Sequence, residues 1–198
     1  MTPPPGAAPE RLGELTLFAQ IDPSLRRILA LTGARLHPEL ERLPKAAGGR
    51  SRRACVLASL TLRDLLIATG QRAETVPCRL GITHVDPDGT PIRQLMIGDP
   101  EETDWADHWN GHMVVRTHGL IVDPTLGQAR RDSWPDLPEM VALPERPHDP
   151  ITRLIDAAGR TEASWTPLPD TSWHRLPDAR PMRRRPTVKR LARLLQHT

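Results

Sequence analysis

Helical patterns fill the first third of the chain and extended patterns follow it, the order of an α+β domain rather than of a repeated βαβ unit. Three observations predict this class. The stretch SRRACVLASLTLRDLLIATG (51–70) is apolar almost all round, as is a helix enclosed within a domain. Next, AETVPCRLGITHV and TPIRQLMIGD flank Asp86-Pro87-Asp88-Gly89, the turn chemistry of a β-hairpin. Last, WNGHMVVRTHGLIVDPTLGQ (109–128) reads as two more short apolar strands around His118-Gly119. No internal repeat interrupts this order.

Taken in chain order, residues 1–20 are proline-rich and weakly patterned, and are expected to form a flexible arm. The first helix starts where Asp22 can cap it and Pro23 suits its first position. Leu25, Ile28, Leu29 and Ala30 give it helical spacing, and Gly33 is expected to end it. A second short helix is expected over His37 to Lys45. The central helix follows, with Ser51 as its cap and Gly70 as its left-handed terminator. After the first hairpin, EETDWADHW reads as a polar loop, and Arg130 to Pro147 as irregular chain punctuated by prolines. DPITRLIDAAGR is expected to be a short helix capped by Asp149. A second proline-rich stretch leads to VKRLARLLQH, a basic amphipathic helix with Val188, Leu191, Leu194 and Leu195 on one face. The expected organisation is an arm over 1–20, one domain over 21–160 that carries the functional site, and a proline-rich, basic tail over 161–198.

With 198 residues and 38% hydrophobic content, the chain is long enough to bury a core. No run approaches the roughly 18 apolar residues of a membrane span, and MTPPPGAAPERLGEL lacks the basic start and apolar run of a signal peptide. The expected location is therefore the cytoplasm, where Cys55 and Cys78 would remain reduced thiols. The net charge of +3 is concentrated at the end. From His174 onward Arg175, Arg180, Arg183, Arg184, Arg185, Lys189, Arg190 and Arg193 stand against the single acid Asp178. Such a segment is drawn to nucleic acid, an acidic protein or an anionic membrane surface. Six aromatics, none of them tyrosine, argue against a base-stacking platform.

Chemistry enters through the second hairpin. A turn centred on His118-Gly119 pairs residues whose numbers sum to 237, so His112 faces Thr125 and Asp123 is its diagonal neighbour. Side chains two apart on a strand share a face, which puts His112 and Asp123 on one side, about 7–8 Å apart at Cβ. A carboxylate at that distance reaches an imidazole nitrogen, fixes its tautomer and favours its protonated form. A nucleophile is needed to complete a site. Cys55 lies about four residues inside the helix expected to start at Ser51, where unpaired N–H groups and the helix dipole favour a thiolate. Arg52 and Arg53 oppose that dipole but would also stabilise an anion at the thiol. Cys78, in the middle of an extended segment, reads as a small apolar residue.

These residues resemble a known family. A Cys at the start of a buried helix (ACVLASLTLRDLLIATG), a Gly-His strand (WNGHMVV) and an Asp-Pro ending the next strand (LIVDPT) look like the core of the transglutaminase-like cysteine enzymes. That superfamily includes microbial peptidases, arylamine N-acetyltransferases and peptide N-glycanases within the broader papain-like fold. The resemblance covers roughly residues 51–128. It implies a papain-like core in which the Cys-bearing helix packs on an antiparallel sheet. By position, it makes Cys55 the nucleophile, His112 the general base and acid, and Asp123 the residue that orients the imidazole. It further implies acyl transfer or amide hydrolysis on a peptide, a protein or a small acyl donor, with no metal or organic cofactor. The sequence departs from the family in lacking an aromatic beside the cysteine, where Ala54 and Val56 stand, and in continuing the His strand with Met113-Val114-Val115. Besides the Cys55 backbone N–H, the side chains of Trp109, Asn110 and Gln128 are candidate oxyanion donors.

Two other readings stand beside this one. His108 and His112 have the i, i+4 spacing of helical zinc ligands, but Asn110-Gly111 lies between them and the glutamate of a zinc-protease helix is missing. Alternatively, the core is inert and the basic segment after residue 161 supplies the function as a binding module.

Overall fold

The computed structural model describes residues 21–43, 54–98, 109–131, 137–145, 152–155, 161–168 and 172–197. The arm over 1–20, the Ser51 cap with Arg52 and Arg53, the polar loop with Trp105 and His108, Trp134, and Asp149 lie outside these residues. Among the described residues are three α-helices and a curled, wholly antiparallel sheet of seven strands, an α+β arrangement.

Helix α1 spans Pro23–Glu41. Asp22 caps it as expected, its Oδ1 accepting from the N–H groups of Ser24 at 2.8 Å and Leu25 at 3.2 Å. The helix does not stop at Gly33. It runs on through Pro38 and absorbs the second helix expected from His37. Leu25, Ile28, Leu29, Thr32, Leu36 and Glu39 are all buried on one face, so packing continues across two residues whose local preference is to end a helix.

Helix α2 spans Cys55–Ala68. It therefore begins at the cysteine, with Ala54 as an N-cap that has no side-chain bond, rather than four residues earlier at Ser51. The first eight residues are buried without exception, as expected of a central helix. Gly70 terminates it at φ +83°, where Gly70 N–H reaches Ile67 O and Gln71 N–H reaches Leu66 O, the paired bonds of a Schellman cap. The helix packs on α1, on the C-terminal helix and on two strands of the sheet.

The strands are β1 (Glu74–Val85), β2 (Pro91–Ile97), β3 (His112–Thr117), β4 (Leu120–Asp123), β5 (Val141–Pro144), β6 (Thr152–Ile155) and β7 (Thr161–Pro167). They lie in the order β5-β4-β3-β1-β7-β6, with β2 also paired to β1. The long β1 organises the sheet: its first half pairs with β3 and its second half with β2, while β7 occupies the other edge. β2 and β3 thus meet end to end. At that junction Gly98 comes so close that a Cβ would sit 3.2 Å from Gly111 Cα.

Both expected hairpins form. Gly89 is left-handed at φ +83° in the first turn, and His118 and Gly119 have φ +47° and +72° in the second, the paired positive angles of a primed turn. Val115 faces Val122 and Thr117 faces Leu120, the register expected from the sequence.

Three expectations after residue 130 are overturned. Part of the stretch expected to be irregular forms β5, which pairs with β4. The helix expected over DPITRLIDAAGR is instead β6, whose backbone pairs with β7. The unsatisfied edge of β7 supplies hydrogen bonds that outweigh a helical spacing only twelve residues long. The segment from 161 onward is also no detached tail. β7 pairs with β1 through seven residue pairs, Cys78–Pro167 to His84–Thr161, and buries Thr161, Ala163 and Trp165. Helix α3 (Pro181–Gln196) lays Leu191 against α1 and α2.

The alternation of the strands separates two cores. Val115, Leu120 and Val122 face the helices, packing with Leu29, Leu62 and Leu66. Val114 and Ile121 face the other way, into a cluster with Leu80, Ile82, Leu126 and Trp165 inside the curl of the sheet. No helix among the described residues is long and apolar enough to cross a membrane.

Candidate active site

The position of Cys55 follows from the docking of α2. Ser59 is one turn further along and therefore shares its helical face. The buried Ser59 hydroxyl donates to Met113 O in β3 at 2.7 Å and fixes the helix on the strand. One turn back, that contact carries Cys55 to the start of β3, where its Sγ lies 4.0 Å from Gly111 O. Because the helix begins at residue 55, the cysteine occupies the first turn, whose N–H groups have no acceptor within the helix.

His112 is the first residue of β3 and Asp123 the last of β4. The hairpin register brings them together as the sequence predicts, with His112 Nε2 donating to Asp123 Oδ2 at 2.7 Å. Both are buried, at 3% and 0% exposure. With Nε2 engaged, Nδ1 is the ring nitrogen left for the thiol, and the nearby Cys55 adds to the forces that raise the proton affinity of His112. Cysteine, imidazole and carboxylate, expected from three separate elements, are thus brought to one place at the start of β3.

Two donors that the sequence did not suggest complete the carboxylate. Trp165 Nε1 donates to Asp123 Oδ2 at 2.8 Å from across β1. Thr125 gives its backbone N–H to Oδ1 at 2.8 Å and its hydroxyl to the same atom at 3.1 Å. Asp123 therefore accepts four bonds, two on each oxygen, which is what a fully buried carboxylate needs to remain ionised. The alternation Thr161, Ala163, Trp165 was the available signal for Trp165, obscured by Pro167 and Pro169. Thr125 was the cross-strand partner of His112 in the sequence register, without an assigned role.

The electrostatics follow from this enclosure. Burial by itself disfavours a charged His112, but the charge and hydrogen bond of Asp123, aided by Cys55, prevail and push the imidazole up to about 10. Burial likewise opposes ionisation of Asp123, yet His112, Thr125 and Trp165 hold its carboxyl below the usual range. Cys78 is closer to this site than its extended setting suggested. It is the direct cross-strand partner of His112 and is 1% exposed. Burial, with Asp123 and Cys55 nearby, pushes its thiol well up, so it stays a neutral apolar neighbour.

The candidate oxyanion donors divide. Trp109 packs closely on Gly111, where a Cβ would collide with its ring and sit 2.8 Å from Nε1. Only glycine permits that approach beside Cys55. Trp109 also packs against the cluster of Cys55, Val56, Leu60 and Met113, as does Trp173 from the turn Ser172–Arg175. Trp109 Nε1 is buried with no hydrogen-bond partner among the described residues. Asn110 is exposed and already has an interaction. Gln128 Nε2 is buried without a partner, and its side chain makes no hydrogen bond to Cys55 or His112.

Among the described residues, no three His, Cys, Asp or Glu side chains converge as metal ligands. His108 lies outside them, and His112 commits Nε2 to Asp123. Compared with protein-family models, with curated proteins and with solved structures, the chain matches none.

Proposed function

We propose that the chain is a cysteine-nucleophile enzyme of the transglutaminase-like, papain-like type, catalysing acyl transfer or amide hydrolysis. The observation that carries this reading is the His112–Asp123 pair, with Nε2 on the carboxylate at 2.7 Å, beside Cys55, whose Sγ lies 4.0 Å from the carbonyl of Gly111, the residue before His112. An imidazole whose proton affinity is raised in this way accepts the thiol proton and retains it as imidazolium.

The chemistry then has two halves. Cys55 Sγ, its proton already held by His112, forms a bond to the substrate carbonyl carbon. The C–N or C–O bond to the leaving group breaks, and the leaving group takes that proton from His112, leaving a thioester on Cys55. In the second half, water or an amine attacks the thioester, losing a proton to His112, which returns it to the departing thiol. Asp123 keeps the ring oriented and compensates its charge through both halves.

Oxygen charge developing during attack would be met by the Cys55 backbone N–H and by Trp109 Nε1, the buried donor without an internal acceptor. The scheme requires no metal or organic cofactor. It is tested by incubating the protein with p-nitrophenyl acetate and quenching in acid. The expected result is a mass increase of one acetyl group, mapped to the Cys55 peptide and lost in Cys55→Ala. Absence of the adduct from Cys55, or its full retention in His112→Ala, would contradict the reading.

A further inference from the structure

We propose that the outer face of α3 is a binding surface for the phosphate backbone of nucleic acid. The inference rests on how the cations of this helix are divided and is independent of the cysteine site.

The inward-facing cations are all matched. Arg184, buried to 5% exposure, pairs with Asp64 at 2.5 Å, Arg190 pairs with Glu39, and Arg183 lies 3.4 Å from Asp178. These contacts take up the acids beside the helix and help hold it to α1 and α2. The outward-facing cations have no such partners. Arg185, Lys189 and Arg193 are exposed and form no ion pair with any described residue. The helix itself contains no acid.

Arg185, Lys189 and Arg193 are four residues apart and therefore align in one stripe, about 6 Å between neighbours and about 12 Å overall. This spacing suits successive backbone phosphates. Most of the apolar side of the helix is already in use: Leu191 is fully buried and Ala192 and Leu195 pack against α1 and α2, while Leu194, expected on the same face, is left exposed. A helix with most of its apolar face docked on its own domain has lost most of the surface it would need to enter a lipid interface, but it keeps its cationic face. Phosphate contacts from such a stripe would be independent of base sequence.

The test measures binding of the full chain to a fluorescent DNA duplex by anisotropy across a series of salt concentrations. Three phosphate contacts predict log K falling with log salt at a slope of about −2.7 or steeper. The triple variant Arg185→Gln, Lys189→Gln, Arg193→Gln alters only exposed side chains, and should lower the steepness by about 2.7 with an unchanged thermal midpoint. Phosphatidylserine vesicles and polyglutamate serve as competing polyanions. No binding to the duplex at 50 mM salt, an unchanged slope in the triple variant, or tighter binding to vesicles or polyglutamate than to the duplex would each overturn the proposal.

Discussion

Replacing Asp123 by Asn changes one charge and keeps the shape of the site. Oδ2 accepts from both His112 and Trp165, and Oδ1 from Thr125, so an amide retains an acceptor but loses the negative charge that His112 faces. The rise of His112 from 6.5 to about 10 corresponds to about 5 kcal/mol in favour of the imidazolium, at ~1.4 kcal/mol for each pH unit. Burial alone acts the other way, so without the carboxylate the imidazole midpoint should fall to 6.5 or lower. NMR titration of 13C-labelled histidine reads that midpoint directly. Stability should follow. In the native protein the raised His112 contributes stability that is complete below about pH 6.5 and lost as pH rises through about 10. The lowered Asp123 contributes stability that is present above about pH 4 and lost as pH falls through its folded value. The thermal midpoint should therefore peak between about pH 4 and 6.5 and decline toward pH 10, and Asp123→Asn should flatten that dependence. Activity on an ester substrate should fall by about 10²–10⁴ in the variant. A His112 midpoint within one pH unit of native in Asp123→Asn would refute the electrostatic argument.

Three further variants probe the supports of the site. Trp165→Phe preserves most of the buried ring but removes the donor to Asp123. It should cost about 1.5–3 kcal/mol in denaturant unfolding and move the acid limb of the activity profile to higher pH, whereas an unmoved limb would mean that the indole only fills space. Ser59→Ala removes the clamp between α2 and Met113 O. A loss of about 1–3 kcal/mol is expected, with a weaker dependence of Cys55 reactivity on His112, and an unaltered coupling would show that the helix is held by other contacts. Gly111→Ala puts a methyl group into the Trp109 ring. It should destabilise the fold by about 1–3 kcal/mol and shift indole fluorescence to the red, while a native spectrum would contradict the close approach.

What could be read in advance was local. His118-Gly119 specifies a primed turn, that turn sets the register, and the register puts His112 beside Asp123 with no tertiary information. The nearly continuous apolar run from Cys55 to Leu62 likewise implied burial wherever the helix went. Arg116 joins Glu74 and Glu145 across the sheet, but such pairs depend on strand order, which composition does not reveal. The same holds for Trp165, which reaches Asp123 only because β7 lies beside β1. Its strand runs into prolines that resemble linker chemistry, although Thr161, Ala163 and Trp165 alternate as a half-buried strand should. Gly33 was misleading for the opposite reason. Its local preference is real, but the buried residues on either side bind the two halves of α1 to one core.

The account stands on Cys55 and His112 acting as one unit, and the rate of Cys55 alkylation measures that most directly. Native protein and His112→Ala would be treated with iodoacetamide at neutral pH, and the Cys55 and Cys78 peptides followed separately by mass spectrometry. The account predicts that Cys55 reacts at least about tenfold faster in the native protein than in the variant, because His112 holds the proton that the thiol gives up. Cys78, enclosed in the sheet, should remain unmodified in the native protein. Equal Cys55 rates in the two proteins would contradict the account.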